Sequence, residues 1–282
     1  MAPDEYWYRS ADGLRLFSRV FPGPSAAAPV VLCLHGLLRT GRDFEDLAPH
    51  LARRFRVIVP DIRGRGLCDR DPNPANYQIP VYIQDLLRLL RGLGVTCVRV
   101  VGTSMGGLIG MVLAVSQPGL IARLVLNDVG PEIDPRGLER IRGYAGRSLP
   151  VKTWEEAGEQ LRNSFGIAWP GLPGERWSHL ARRAYRADAA GILQPDADPA
   201  IGDVIRNAPA AAPTLWSIWP EVTRIPVLAV RGEISDVLSA ETLERMRAQA
   251  PSMQTVVVRN RGHVPLLDEA EALAAIDAFL DQ

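Results

Sequence analysis

Residues 101–107 (VGTSMGG) hold a serine between glycines, directly after a run of strand-forming residues. Residues 102–106 have the pattern Gly-x-Ser-x-Gly. The apolar run before them predicts a buried strand, and residues 105–116 predict a helix. A tight strand-to-helix turn of this kind lifts the serine above the edge of a sheet, where its hydroxyl is accessible. The segment therefore predicts Ser104 as a nucleophile in an α/β protein.

Short strand-like segments alternate with helix-like segments on both sides of this turn. An N-terminal hairpin is followed by apolar runs without alternation, which are typical of parallel strands buried on both faces. The predicted strands are residues 6–10, 14–21, 30–35, 57–60, 97–101, 124–127, 226–230 and 255–259. The predicted crossover and terminal helices are 43–54, 81–93 and 269–280. Residues 1–130 and 224–282 are therefore predicted to form one α/β core.

The alternation breaks between residues 131 and 223, where helical pieces are punctuated by proline and glycine. This segment also holds five of the six tryptophans, at positions 154, 169, 177, 216 and 219. We predict that residues 131–223 form a helical cap inserted into the core. Its aromatic side chains either wall an apolar substrate pocket or build the core of the cap itself.

A serine hydroxyl is a poor nucleophile unless a base takes its proton. Of the four histidines, His263 fits best, because it follows a predicted strand and precedes the last helix. A loop at that point reaches the same sheet edge as Ser104. His50 and His179 lie in helix-like segments and are expected at the surface or in packing. His35 is expected to brace the loop that follows it.

The base needs a carboxylate to fix its tautomer and stabilise the imidazolium. We predict Asp236 for this role, a few residues after the strand 226–230, which gives the chain order Ser, Asp, His. Two alternatives are Glu233 in the same loop and Asp128 at the end of the strand 124–127.

Two backbone N–H groups are expected to stabilise an oxyanion. Met105 follows the nucleophile at the start of a helix, where backbone N–H groups lack partners. Leu37 lies in the loop His-Gly-Leu-Leu that begins at His35, directly after an early strand. Gly36 allows the backbone there to approach a substrate. We predict the N–H groups of Leu37 and Met105 as the donors.

Five motifs in this order resemble the α/β-hydrolase superfamily across essentially the whole chain. They are His-Gly at 35–36, PDIRGRG at 60–66, GTSMGG at 102–107, the loop that carries Asp236, and GHVP at 262–265. The resemblance implies a mostly parallel, eight-stranded sheet flanked by helices, with a helical cap after the sixth strand and no metal or organic cofactor. Arg65 stands where the superfamily often has histidine, and this difference is expected to change little. The serine elbow most resembles esterases, enol-lactonases and carbon–carbon bond hydrolases.

The predicted function is a serine hydrolase that cleaves a small to medium carboxylic ester or lactone through an acyl-enzyme. The alternatives are carbon–carbon bond hydrolysis of a diketone-like acid and a ligand receptor that retains the hydrolase fold. Arg39, two residues after Leu37, is a candidate to bind a substrate carboxylate.

The charge balance of the sequence limits the classes of binding partner. Lysine plus arginine and aspartate plus glutamate each total 32 in 282 residues, so no net field attracts nucleic acid or anionic lipid. A small-molecule substrate with a hydrophobic portion is expected, with no nucleic acid and no membrane, and no oligomeric state is predicted. The three cysteines and the absence of a signal-peptide pattern predict a cytoplasmic protein.

Overall fold

The computed structural model describes residues 2–208 and 213–282. Its strands are β1 (Asp4–Arg9), β2 (Arg15–Phe21), β3 (Val30–Leu34), β4 (Arg56–Pro60), β5 (Val98–Thr103), β6 (Ile121–Asn127), β7 (Tyr185–Ala187), β8 (Leu193–Pro195), β9 (Val227–Gly232) and β10 (Gln254–Val258). Its α-helices are α1 (Leu47–Leu51), α2 (Ile79–Gly92), α3 (Met105–Ser116), α4 (Pro135–Tyr144), α5 (Trp154–Phe165), α6 (Gly174–Ala184), α7 (Pro199–Arg206), α8 (Trp219–Val222), α9 (Ala240–Gln249) and α10 (Ala270–Asp281).

Eight of these strands form one sheet in the order β1-β2-β4-β3-β5-β6-β9-β10. The pairs β1–β2 and β2–β4 are antiparallel, and every later pair is parallel. The predicted α/β fold with a mostly parallel, eight-stranded sheet is confirmed. Cys97 was expected inside a buried strand, but β5 begins one residue later and Cys97 is exposed.

The unbroken apolar strands serve two cores, one on each face of the sheet. In β3, Leu32 and Leu34 pack into the core that holds residues of α2, α3, α8 and α9. Val31 and Cys33 point the other way, into the core shared with α1 and α10. Successive strand residues point to opposite faces, so a strand covered on both sides must be apolar throughout. The sheet is thus the middle layer between two layers of helices.

The segment between β6 and β9, here called the cap segment, carries α4 to α8 and the short antiparallel pair β7–β8. The predicted helical cap therefore also contains two short strands, and its residues 209–212 lie outside the described part of the chain. Trp169 and Trp177 help to form a separate hydrophobic cluster within the segment. Trp219 of α8 is instead fully buried in the core that holds α3.

A membrane-spanning helix would need a long and uninterrupted apolar stretch. Across residues 2–208 and 213–282, none of the helices is long and apolar enough to cross a membrane.

Candidate active site

Ser104 occupies a sharp turn between β5 and α3. Its backbone has φ 51° and ψ −113°, which is unusual for a residue with a side chain. The turn is possible because Gly106 has no side chain. A Cβ at this position would lie only 2.1 Å from the carbonyl oxygen of Leu34. A Cβ on Gly102 would likewise come within 2.6 Å of the Gly106 backbone. The two glycines of the Gly-x-Ser-x-Gly pattern are therefore required by close packing of the backbone.

Ser104 and His263 are brought together as predicted. The Oγ of Ser104 lies 2.9 Å from Nε2 of His263, although 158 residues separate them in the chain. His263 is 5% exposed, whereas Ser104 remains partly accessible. The loop that carries His263 follows β10, whose carboxyl end lies beside that of β9. This geometry permits direct transfer of the serine proton to the histidine.

The carboxylate at the other imidazole nitrogen belongs to Asp128. Its Oδ2 lies 2.9 Å from Nδ1 of His263, and its side chain is fully buried. The N–H of Gly232 donates to Asp128 Oδ1 over 2.7 Å, and the Ser235 hydroxyl donates to Oδ2 over 2.6 Å. These donors stabilise an ionised carboxylate and fix its orientation. The Asp128 carboxylate accepts a hydrogen bond from Nδ1, which favours the tautomer with its proton on Nδ1. Nε2 can then accept a hydrogen bond from the Ser104 hydroxyl.

The prediction that Asp236 contacts His263 is wrong. Arg140 of the cap segment donates to both carboxylate oxygens of Asp236, over 2.5 Å and 2.7 Å. Burial raises the pKa of Asp236 and the Arg140 guanidinium lowers it, with a net shift below its ordinary value. The other alternative, Glu233, accepts from the N–H of Asn260 over 2.9 Å. Asp128, the second of the sequence alternatives, is the acidic group that lies against the imidazole.

His35 has the structural role expected of it. His35 is fully buried, accepts from the N–H of Ile62 over 3.0 Å and contacts the Gly36 carbonyl through Nδ1 at 2.8 Å. Burial, with a smaller contribution from Arg65, lowers the pKa of His35 to about 4, so it is neutral at pH 7. It therefore fastens the loop containing Gly36 to the segment after β4.

The two predicted oxyanion donors lie beside Ser104. Met105 is the first residue of α3, so its N–H has no acceptor within the helix. Leu37 lines the same small cavity as Ser104 and His263. A Cβ built on Gly36 would lie 3.9 Å from the Cβ of Ser104, which shows how closely this loop approaches the serine. Both N–H groups thus remain predicted donors at positions that suit the role.

Arg65 is a functional candidate that sequence reasoning underrated. Its guanidinium is buried and donates to the carbonyl of Leu37 over 2.5 Å and to that of Arg63 over 2.8 Å. It also lies 3.6 Å from the sulfur of Met105 and contacts the hydroxyl of Tyr82. Arg65 therefore connects the loop of one predicted oxyanion donor with the residue that supplies the other.

We expect Arg65→Met to lower kcat for the predicted ester hydrolysis by roughly tenfold to a hundredfold, because a small displacement of the predicted catalytic groups is costly. KM should change less than kcat, because the lost interaction acts on the oxyanion donors. Steady-state kinetics and thermal unfolding check this expectation, with the exposed Arg53→Met as the control. A loss of stability with kcat unchanged in the folded fraction would contradict a positioning role.

Two cavities meet at the site. The first, about 60 Å³, is lined by Ser104, His263, Arg39, Tyr144 and Phe165 among others. The second, about 190 Å³, shares Leu38, Arg39, Tyr144 and Phe165 with the first and is lined mostly by residues of the cap segment. A substrate whose carbonyl lies at Ser104 therefore has further space on the other side of these four residues.

The cap segment holds the loop of His263 through backbone contacts. The carbonyl of Ala168 accepts from the N–H of Gly262 over 2.7 Å, and Trp169 Nε1 donates to the carbonyl of Val264 over 2.7 Å. None of the five tryptophans between residues 131 and 223 is among the described residues that line either cavity. Trp169 and Trp177 thus contribute to packing, and Trp169 also contributes to the position of the loop of His263; neither lines the two cavities.

Among the residues that the structure describes, no group of three or more histidine, cysteine, aspartate or glutamate side chains is arranged to hold a metal ion.

Comparison with known proteins identifies the family. Residues 31–276 match the model of the alpha/beta hydrolase family, a span that runs from β3 to α10. The chain belongs to the alpha/beta hydrolase family. A crystal structure of an alpha/beta hydrolase from Novosphingobium aromaticivorans is 42% identical, with a TM-score of 0.93, and the match covers 100% of this chain and 99% of that one.

Two relatives of this alpha/beta hydrolase have named activities. The 3-hydroxybutyrate-oligomer hydrolase of Cupriavidus necator is 36% identical over 276 residues, which cover 91% of this chain and 90% of that protein. The 2-(acetamidomethylene)succinate hydrolase of Mesorhizobium japonicum is 29% identical over 284 residues, which cover 100% of this chain and 98% of that protein.

Proposed function

We propose that the protein is a serine hydrolase that cleaves carboxylic esters through an acyl-enzyme. The observation that carries the proposal is the chain of contacts from Ser104 Oγ to His263 Nε2, and from His263 Nδ1 to the buried Asp128, each 2.9 Å long. In this arrangement the serine has a base within hydrogen-bond reach and the base has an orienting carboxylate.

In the proposed reaction, His263 removes the proton of Ser104 as the serine oxygen attacks the ester carbonyl. The N–H groups of Leu37 and Met105 donate to the oxyanion, and Asp128 stabilises the imidazolium. His263 then gives its proton to the leaving alcohol, which departs and leaves an ester on Ser104. Water, activated by His263, attacks this ester, and proton return from His263 frees the serine together with the carboxylic acid.

We further propose short oligomers of 3-hydroxy acids as the substrate class. The support is the relationship to the 3-hydroxybutyrate-oligomer hydrolase, which extends over nine-tenths of both chains. In such an oligomer each ester joins the carboxyl of one unit to the 3-hydroxyl of the next. Units of this size suit the small cavity at Ser104 and its larger neighbour.

The test combines covalent labelling with turnover. A fluorophosphonate probe, followed by peptide mass spectrometry, is expected to modify Ser104 stoichiometrically. The unlabelled enzyme is expected to turn over p-nitrophenyl butyrate and the dimer of 3-hydroxybutyrate many times per active site. Labelling without ester turnover would contradict an ester hydrolase and favour the carbon–carbon hydrolase or the receptor. Failure of both labelling and turnover would contradict the nucleophile itself.

A further inference from the structure

Arg39 lines both cavities. Its Nε and Nη2 donate to both carboxylate oxygens of Asp43, over 2.6 to 3.0 Å. The side chain is only 12% exposed. The third nitrogen, Nη1, is buried and has no hydrogen-bond partner in the part of the chain that the structure describes. A buried cationic donor without an acceptor is unfavourable, so this nitrogen is suited to a ligand oxygen.

Arg39 also lies close to the reacting atoms. The point that a Cβ on Gly36 would occupy is 3.6 Å from Cγ of Arg39 and 3.9 Å from Cβ of Ser104. The stem of the arginine and the side chain of Ser104 thus flank the same glycine, and both residues line the small cavity of about 60 Å³.

The surroundings favour a full positive charge on Arg39. Burial lowers the pKa of its guanidinium and the Asp43 carboxylate raises it, with a net shift upward. The Phe165 ring centroid is 5.9 Å from the guanidinium carbon. Apolar walls of this kind strengthen a charged hydrogen bond because water screens it less. Asp43 holds one edge of the guanidinium in place, so Nη1 needs little ordering when a ligand binds.

A second arginine, Arg140, also binds a carboxylate through two of its nitrogens and leaves the third without a hydrogen-bond partner among the described residues. Arg140 binds Asp236 through Nε and Nη2, and its Nη1 is likewise buried without a partner among the described residues. Its guanidinium carbon is 5.9 Å from the ring centroid of Tyr144, which lines both cavities. Arg39 lines the cavities directly, so it is the stronger candidate for a ligand contact.

We propose that Arg39 Nη1 binds a carboxylate of the substrate and that the enzyme therefore prefers acid-terminated esters. This proposal rests on the proposed ester hydrolysis and names the part of the substrate that is recognised. In a dimer of 3-hydroxybutyrate the terminal carboxylate carbon is three bonds from the ester oxygen, and Arg39 and Ser104 line the same small cavity. The rest of the molecule occupies the cavity of about 190 Å³.

The decisive measurement compares two substrates that share one ester bond. One is the 3-hydroxybutyrate dimer, and the other is the same dimer with its carboxylate replaced by a primary amide. For the wild-type enzyme, kcat/KM for the acid is expected to exceed that for the amide by roughly 10- to 100-fold, as for a charged hydrogen bond. Chromatography of the released hydroxy acid measures both reactions.

Variants then assign the preference to Arg39. We expect Arg39→Met to bring the acid-to-amide ratio close to one, and Arg39→Lys to give an intermediate ratio because a lysine lacks the planar fork. The matched control is Arg42→Met, three residues away, whose guanidinium is paired with Glu45. It is expected to keep the wild-type ratio. Thermal unfolding verifies that each variant is folded.

The outcomes separate this proposal from the proposed function. An enzyme that hydrolyses p-nitrophenyl butyrate but does not prefer the acid dimer would overturn carboxylate recognition and leave ester hydrolysis standing. An unchanged ratio in a folded Arg39→Met variant would show that another group binds the carboxylate. If Arg39→Met does not fold, the wild-type ratio and the Arg39→Lys variant decide. Absence of both labelling and turnover would instead remove the proposed function.

Discussion

Replacing Ser104 by alanine is expected to lower kcat for p-nitrophenyl butyrate by roughly 10⁴- to 10⁶-fold, because no other nucleophile then completes the acyl-enzyme pathway. Alanine keeps the Cβ that serine has at φ 51°, so the turn between β5 and α3 should be retained. The residual rate would reflect binding of the substrate and the oxyanion donors alone. Steady-state kinetics and labelling with a fluorophosphonate measure both effects.

The matched control for this substitution is Ser116→Ala. Ser116 is the last residue of α3 and is exposed, so it shares the helix but not the site. The kcat of the Ser116→Ala protein is expected to stay within about twofold of the wild-type value, because most surface substitutions have small effects. A Ser104→Ala protein that retains more than a hundredth of the activity would refute the assignment of the nucleophile.

The sequence predicted the fold well because its strongest signals are local. A buried parallel strand must be apolar on both faces, and the six runs chosen on that basis pair in parallel in the main sheet, while the two strands of the predicted hairpin pair antiparallel. The helix predicted over 105–116 has those bounds in the structure. The pair β7–β8 was missed because its strands are three residues each and sit in a segment dominated by helices. Such short strands carry too few residues for a periodic pattern.

The acidic residue was harder to predict because the choice depends on distances across the sheet. Asp128 and Asp236 both follow parallel strands that end at the same edge, β6 and β9, and these strands are neighbours. Chain order does not separate them, because both residues lie between Ser104 and His263 in the chain. A local signal did exist, since Asp128 follows the last residue of β6 directly, whereas Asp236 lies four residues beyond β9. A side chain at the strand end has less freedom and points to a better-defined position.

Arg65 was underrated for a different reason. The sequence reveals that an arginine replaces a histidine, but not which carbonyl groups surround it. Only the tertiary structure brings Leu37, Arg63 and Met105 around one guanidinium. A buried arginine needs hydrogen-bond acceptors for its guanidinium. Because Arg65 is buried, it binds the carbonyl of Leu37 and lies against Met105, so the arginine affects both predicted oxyanion donors.

The sharpest test of the corrected site is Asp128→Asn compared with Asp236→Asn. We expect Asp128→Asn to lower kcat by roughly 10³- to 10⁴-fold, because an amide can donate to Nδ1 of His263 and favour the wrong tautomer. Nε2 would then carry the proton and could not accept one from Ser104. The amide oxygen can still accept from Gly232, so the fold is expected to survive with reduced thermal stability. Steady-state kinetics of both proteins, with thermal unfolding alongside, provide the comparison.

Asp236→Asn removes the charge that Arg140 binds, but it leaves the contact between His263 and Asp128 intact. Its kcat is therefore expected to fall by less than about tenfold, since only a partly exposed ion pair at the cap segment is weakened. The reverse order of effects would restore Asp236 as the functional acid and require the loop after β9 to rearrange during catalysis. Equal and large losses would imply that the two carboxylates act together. The expected order follows from geometry, because one carboxylate is buried against the imidazole and the other is turned toward an arginine of the cap segment.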